Sequence, residues 1–195
     1  MRLVVPYNSL HSLLRWSQRM LFGCAALLLG YYGYVVVDSW VFQNEESAAL
    51  EQFVPEGPGL PAAVRTNGLV GRIQIPRIEL SAAVSEGTSD KTLRRAVGHI
   101  AGTALPGEPG NVGIAGHRDT FFRPLRNIQQ SDMISLTTFG GEYRYRVVSI
   151  KVVSPSDVAV LNPDGKEILT LVTCYPFYLV GPAPDRFIVR AERVT

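Results

Sequence analysis

Cysteine is scarce in this chain. Only Cys24 and Cys174 occur, no CxxC is present, and their spacing fits no zinc-ligand pattern. The three histidines, His11, His99 and His117, are too scattered to complete a metal-ligand motif, and no clear acidic cluster marks a calcium loop. No metal site and no obligatory cofactor is therefore expected. Strong charge of one sign is lacking too. Nineteen Lys+Arg face seventeen Asp+Glu, a net charge of +2 with no basic run, which argues against nucleic acid as a partner. Low-complexity tracts and internal repeats are absent, so a solenoid is excluded. The 195 residues suit one globular domain with a short appendage.

Charge is missing most conspicuously between Met20 and Val37, where MLFGCAALLLGYYGYVVV holds 18 uncharged residues. With Trp40, Val41 and Phe42 beyond a single Asp38, the stretch is long enough to cross a bilayer as a helix. Tyr31, Tyr32, Tyr34 and Trp40 crowd its far end like an interfacial aromatic belt. No polar face interrupts the run, against a buried core helix. It is also longer than the apolar core of a cleaved signal peptide, about 7–15 residues, and Ser47-Ala48-Ala49 is a weak cleavage site. Arg2, Arg15 and Arg19 precede it without an acid, and Asp38, Glu45, Glu46, Glu51 and Glu56 follow without Lys or Arg. The positive-inside rule then places the N-terminus in the cytoplasm and the rest outside. The expected organisation is a cytoplasmic N-terminus at 1–19, a single-pass signal anchor in the plasma membrane at 20–42, a Pro/Gly-containing linker at 43–67, and an extracytoplasmic catalytic domain at 68–195.

From Leu69 onward short apolar runs alternate with turn residues. Strands are expected at Leu69–Ile75, Ile78–Val84, Asn111–Gly116, Met133–Thr138, Tyr143–Val153, Glu167–Cys174 and Arg186–Val194. A short helix over Ser89–Val97 capped by Ser89 or Asp90, a helical turn at Phe121–Asn127 and a turn at Asn162–Gly165 complete the pattern. Many short strands with little helix point to a β-barrel or sandwich.

Export leaves Cys174 without a partner, because Cys24 lies inside the apolar run. An unpaired thiol outside the cell is a candidate nucleophile. Such a nucleophile needs a base or cation favouring the thiolate, an acid for the leaving group, and a stabiliser for the oxyanion. His11 falls on the cytoplasmic side, leaving His99 and His117. Cys174 ends the run Ile168–Cys174, and His117 likewise follows the run ending Ile114-Ala115-Gly116. Strand-to-loop junctions of this kind often carry function. Arg186 and Arg190 share one face of the last strand by alternation, and spacing does not choose between them.

These residues resemble the motifs of the sortase family. Thr170-Leu171-Val172-Thr173-Cys174 looks like the TLxTC signature. Gly116-His117-Arg118-Asp119, preceded by Pro106–Val112 and followed by Phe121–Leu125, is similar to the histidine motif, and Arg186-Phe187-Ile188-Val189 to the arginine strand. The resemblance covers roughly Leu69 to Val194, and Thr173–Phe177 with His117-Arg118-Asp119 looks most like class D. It implies a mostly β fold: a closed eight-stranded barrel with short helices, preceded by one transmembrane helix. It also implies that Cys174 attacks the carbonyl after threonine in an LPxTG-like sorting signal, forming an acyl-enzyme. His117 would protonate the leaving amine, Arg186 would stabilise the oxyanion, and Thr173, Tyr175 and Leu171 would contact substrate. The acceptor would be an amine of a cell-wall precursor, a pilin or another surface protein. His99 and Asp119 are read as structural. A cysteine endopeptidase with water as acceptor, and an inactive envelope-binding β-domain, are the competing readings.

Overall fold

The computed structural model describes residues 7–51, 68–163, 165–179 and 181–194. The chain divides into two compact units, Met1–Trp40 and Val41–Thr195. Helix α1 spans Tyr7–Glu51. Within it, Ser12–Asn44 has a mean hydropathy of 1.9 and none of it is buried. By length and composition this stretch can cross a membrane, as 33 residues rise about 50 Å against a hydrocarbon core of about 30 Å. The start of the expected linker continues the helix through Glu51, and residues 52–67 lie outside the described residues, as do 1–6 and Asp164 of the expected turn.

Eight strands follow: β1 Leu69–Ile75, β2 Leu80–Glu86, β3 Val97–His99, β4 Asn111–Ala115, β5 Met133–Thr138, β6 Gly141–Val153, β7 Ile168–Tyr175 and β8 Asp185–Val194. They close into a barrel in the order β1-β2-β3-β4-β7-β8-β6-β5. The pairs β2–β3 and β4–β7 are parallel and the others antiparallel. Closure removes every free sheet edge, and the single face turned inward builds one core. Ile73, Ile75, Val84, Ile114, Phe122, Leu136, Leu169, Leu171 and Val189 meet there. Each such side chain contributes about 1.5–3 kcal/mol on burial.

Both helical expectations are met by shorter elements, and Val97 of the expected helix opens β3 instead. Helix α2 (Asp90–Arg95) starts at Ser89, whose hydroxyl accepts the Thr92 N–H. A 3₁₀ turn spans Arg123–Asn127. Two strands differ from expectation. β2 starts at Leu80 because Pro76–Ile78 forms a 3₁₀ turn ending on Glu79 at φ 53°. β3 was not expected at all. Its three residues include Gly98, where a Cβ would lie 2.3 Å from the Gly87 carbonyl oxygen, so close packing selects glycine against strand propensity.

One ion pair ties the turn before β2 to the entry of β5. Arg77 grips both oxygens of Asp132, its Nη2 donating to Oδ2 at 2.6 Å. Asp132 is only 7% exposed and also accepts the Gln129 N–H. Hydrogen bonding from Arg77, aided by the Gln129 N–H and opposed by burial, holds the Asp132 carboxyl below the usual range. A depressed folded value stabilises the protein above the ordinary carboxylate value of about 3.9 and ceases to do so as pH falls through the folded value. Asp132→Asn is expected to lower the melting temperature at pH 7 by roughly 4 °C or more, and the gap to wild type is expected to shrink below about pH 4. Thermal melts across pH 3–8 check this.

Candidate active site

Side-chain alternation on β7 decides what the site contains. Leu169 and Leu171 face the core, and Thr173 continues that face at 2% exposure. Val172 and Cys174 therefore face outward. Leu171 and Thr173, both expected to contact substrate, stand on the inward face. Leu171 is fully buried, and the Thr173 hydroxyl is committed to the Gly116 carbonyl at 2.7 Å.

That hydrogen bond joins the ends of two parallel strands. β4 pairs with β7 up to Ala115 opposite Val172. Beyond it, the Gly116 N–H donates to the Val172 carbonyl at 3.1 Å and the Thr173 hydroxyl reaches back to the Gly116 carbonyl. The register is thus carried one residue further, to Gly116 beside Thr173, and His117 is the next residue of that strand end as Cys174 is of β7. Gly116 lies against the buried Phe122 ring, where a Cβ would meet ring carbon at 2.7 Å. A larger residue there displaces the ring or the strand end that carries His117.

On the other side of β7, Arg186 stands directly opposite Cys174 in the antiparallel β7–β8 pair. Three neighbouring strands, about 4.8 Å apart, thus bring His117, Cys174 and Arg186 to one end of one outer face. All three are half-buried. The Arg186 Nη1 donates to the Asp185 carbonyl at 3.0 Å and, more distantly, to that of Ala183 at 3.4 Å. Among the described residues no carboxylate pairs with Arg186 or with His117. A fixed cation beside a thiol and an imidazole can favour a thiolate and hold a developing oxyanion. Arg190 lies four residues along the same face, opposite Thr170, so the register separates the two arginines where spacing alone did not. Tyr175 is half-buried in an aromatic cluster, stacked on Phe187 at 6.2 Å and edge-on to Phe177 at 6.1 Å.

The remaining polar residues sort by burial. His99 is 3% exposed. Its Nδ1 lies 2.8 Å from the Glu86 carboxylate. Its Nε2 lies 3.0 Å from the Ala104 carbonyl and 3.1 Å from the Thr103 hydroxyl. Both ring nitrogens are engaged in holding the β3–β4 turn. Asp119 is exposed. No group of three metal-ligating side chains occurs among the described residues.

Next to the three candidates a cavity of about 260 Å³ opens on the same face, lined by Ser149, Lys151, Asp157, Ala159, Val160, Ile188 and Arg190. Its floor is β6 and β8, where Lys151 pairs with Ile188 and Ser149 with Arg190. Its wall is the 3₁₀ turn Val158–Leu161. Asn111, 2% exposed, pins that wall. Its amide nitrogen donates to the Val160 carbonyl at 3.2 Å and to that of Asn162 at 3.4 Å, and its oxygen accepts the Thr170 hydroxyl at 2.7 Å. Sequence reading gave Asn111 no role. It begins an apolar strand, and a buried amide at that place has no local signature. Arg118 was noted only as part of a motif, yet it is 9% exposed. It lies in the turn after β4, where strand alternation gives no signal, and its burial comes from the β7–β8 loop that its guanidinium bonds.

The chain resembles known proteins in sequence and in fold. The sortase domain model matches residues 73–194. Sortase D of Bacillus subtilis is 38% identical over 126 residues, 64% of each chain. Sortase SrtE1 of Streptomyces coelicolor is 32% identical over 152 residues, 68% of this chain and 43% of that protein. The chain thus spans less than two thirds of these relatives' own lengths. Among solved structures, a sortase D5 transpeptidase of Clostridium perfringens superposes with a TM-score of 0.59 at 32% identity, covering 78% of this chain and 88% of that one. Sortase C-1 of Actinomyces oris gives 0.62 at 28% identity, covering 78% and 98%. The closed eight-stranded barrel is the fold shared with these solved structures, and the chain belongs to the sortase family.

Proposed function

We propose that this chain is a cysteine transpeptidase that cleaves an LPxTG-like sorting signal after threonine and passes the acyl group to an amine. The observation that carries the reading is the register that sets Cys174 between Arg186 and the end of β4; family membership supports it. Cys174 gives its thiol proton to His117 and attacks the threonine carbonyl carbon as a thiolate. The carbonyl electron pair moves onto oxygen, where Arg186 holds the charge. As the tetrahedral centre collapses, the C–N bond breaks and His117 protonates the departing amine, leaving a thioester. An incoming amine then attacks the thioester carbon, gives its proton to His117 and expels the Cys174 thiolate.

The cavity fits the same substrate. An extended peptide advances about 3.3 Å per residue. In an LPxT segment whose threonine carbonyl sits at Cys174, the leucine lies three steps back, about 10 Å away. Ile188 and Arg190, two and four residues past Arg186, lie about 7 and 13 Å along the face and bracket that distance. Ile188, Ala159 and Val160 offer apolar contact, and Lys151 and Arg190 favour an acidic neighbour.

Arg15 and Arg19 before the apolar stretch, and acids after it, support a single-pass orientation with the N-terminus in the cytoplasm and the barrel outside. The donor is then a surface protein bearing a sorting signal. The acceptor is an amine of a cell-wall precursor, a pilin or another surface protein.

The full chain in detergent micelles, given a quenched LPxTG peptide and triglycine, is expected to yield a product with triglycine joined to threonine. Cys174→Ala is expected to abolish it. His117→Ala and Arg186→Ala are expected to lower kcat/KM by about 10²-fold or more. Product carrying water alone with every amine offered would make the chain an endopeptidase, and activity in Cys174→Ala would remove the thiol from the mechanism. Asn111→Ala frees the cavity wall, so KM is expected to rise several-fold with kcat less affected. A change in kcat alone would contradict that role for the cavity.

A further inference from the structure

The loop joining β7 to β8 has Cys174 just before it and Arg186 just after it. Among the described residues, no backbone–backbone hydrogen bond closes within 176–184. The loop folds instead around one side chain. Arg118 donates from Nη1 to the Pro176 carbonyl at 3.1 Å, and from Nη2 to the Leu179 and Gly181 carbonyls at 2.7 Å each. The guanidinium is buried and, among the described residues, pairs with no carboxylate. A buried cation is costly unless its donors are met. Here loop carbonyls meet them, so guanidinium and loop each require the other's position. Two weaker contacts point the same way: Arg126 sits over the Tyr178 ring at 5.7 Å, and Phe177 meets Phe187 edge-on at 5.2 Å.

Arg118 directly follows His117 in the chain. The residue that grips the loop is thus fused to one candidate catalytic residue, and the loop it grips is anchored at the other two. We propose that Arg118 is a positioning residue that locks Cys174, His117 and Arg186 into one geometry and keeps water from the acyl-enzyme while an amine is awaited. The inference rests on the transpeptidase reading above. With the clamp in place, the thioester waits behind an ordered loop and the amine attacks under His117. With the clamp removed, the loop opens and water competes. Water attacks the thioester carbon, a proton passes to His117, the Cys174 thiolate leaves, and the threonine ends as a free acid. Sequestration by an ordered loop is a common means of excluding such a side reaction.

The test measures the ratio of hydrolysed to transferred product, which does not depend on how much of the sample is folded. Full-length wild type, Arg118→Met and Arg118→Lys are assayed with the quenched peptide and triglycine, with active sites counted as the fraction of the Cys174 fragment labelled by a thiol-directed vinyl sulfone, read by mass so that Cys24 is not counted. Arg118→Met is expected to raise the hydrolysis-to-transfer ratio at least 3-fold. It is also expected to lower kcat/KM per active site by about 10–100-fold, the scale of a small misplacement of catalytic groups. Arg118→Lys keeps a cation that reaches some of the carbonyls and is expected to fall between. Should Arg118→Met fail to fold, Arg118→Lys decides alone. A wild-type ratio together with wild-type kcat/KM per active site in the variants overturns the proposal. If wild type cleaves the peptide but joins no amine, the transpeptidase reading fails separately, and kcat/KM per active site still decides the role of Arg118.

Discussion

Strands β4 and β7 lie side by side and parallel, and the Thr173 hydroxyl fastens their ends by bonding the Gly116 carbonyl. Everything chemical depends on that alignment. Side chains alternate along a strand, so seating Thr173 inside the barrel turns Cys174 out. The same bond keeps β4 in step for one residue past Ala115, and His117 is the next residue of that strand end. The antiparallel partner β8 then presents Arg186 from the other side. A slip of one residue in either pair would exchange the inner and outer faces and scatter the three groups. The site is therefore a product of barrel closure and strand register, and not of any local motif.

Much of this was legible in the sequence, for identifiable reasons. The apolar run from Met20 to Val37 and the runs before His117 and Cys174 are long and uninterrupted enough to declare a helix and two strands. The cap at Ser89 follows from its side-chain chemistry. Other features depend on neighbours distant in the chain. β3 is three residues built around Gly98, whose reason for being glycine is the Gly87 carbonyl on another segment. Leu171 and Thr173 were expected to contact substrate because the segment ending in Cys174 resembles the family signature. Each lies an odd number of residues from Cys174, so alternation places both on the opposite face. The choice between Arg186 and Arg190 needed the register against β7, which spacing within one strand cannot supply.

The buried polar residues form the second theme. Asn111, His99, Arg118 and Asp132 are each largely withdrawn from water, and each is satisfied by groups on another segment of the chain. An unmet buried donor or acceptor costs about 1–3 kcal/mol, so each fixes its partners as firmly as itself. Asn111 fixes the wall of the cavity and Arg118 the loop between Cys174 and Arg186. The barrel supplies a rigid floor, and these side chains extend that rigidity into the loops where a peptide would lie.

The central claim is that Cys174, set by this register, carries the acyl group. It is tested most directly by mixing the full chain with an LPxTG peptide, quenching in acid before an amine is added, and measuring intact mass and the modified fragment. The account predicts a mass increase equal to the acyl portion ending in threonine, held as a thioester on the fragment containing Cys174. Cleavage of the peptide with no adduct on Cys174 at any quench time would contradict it.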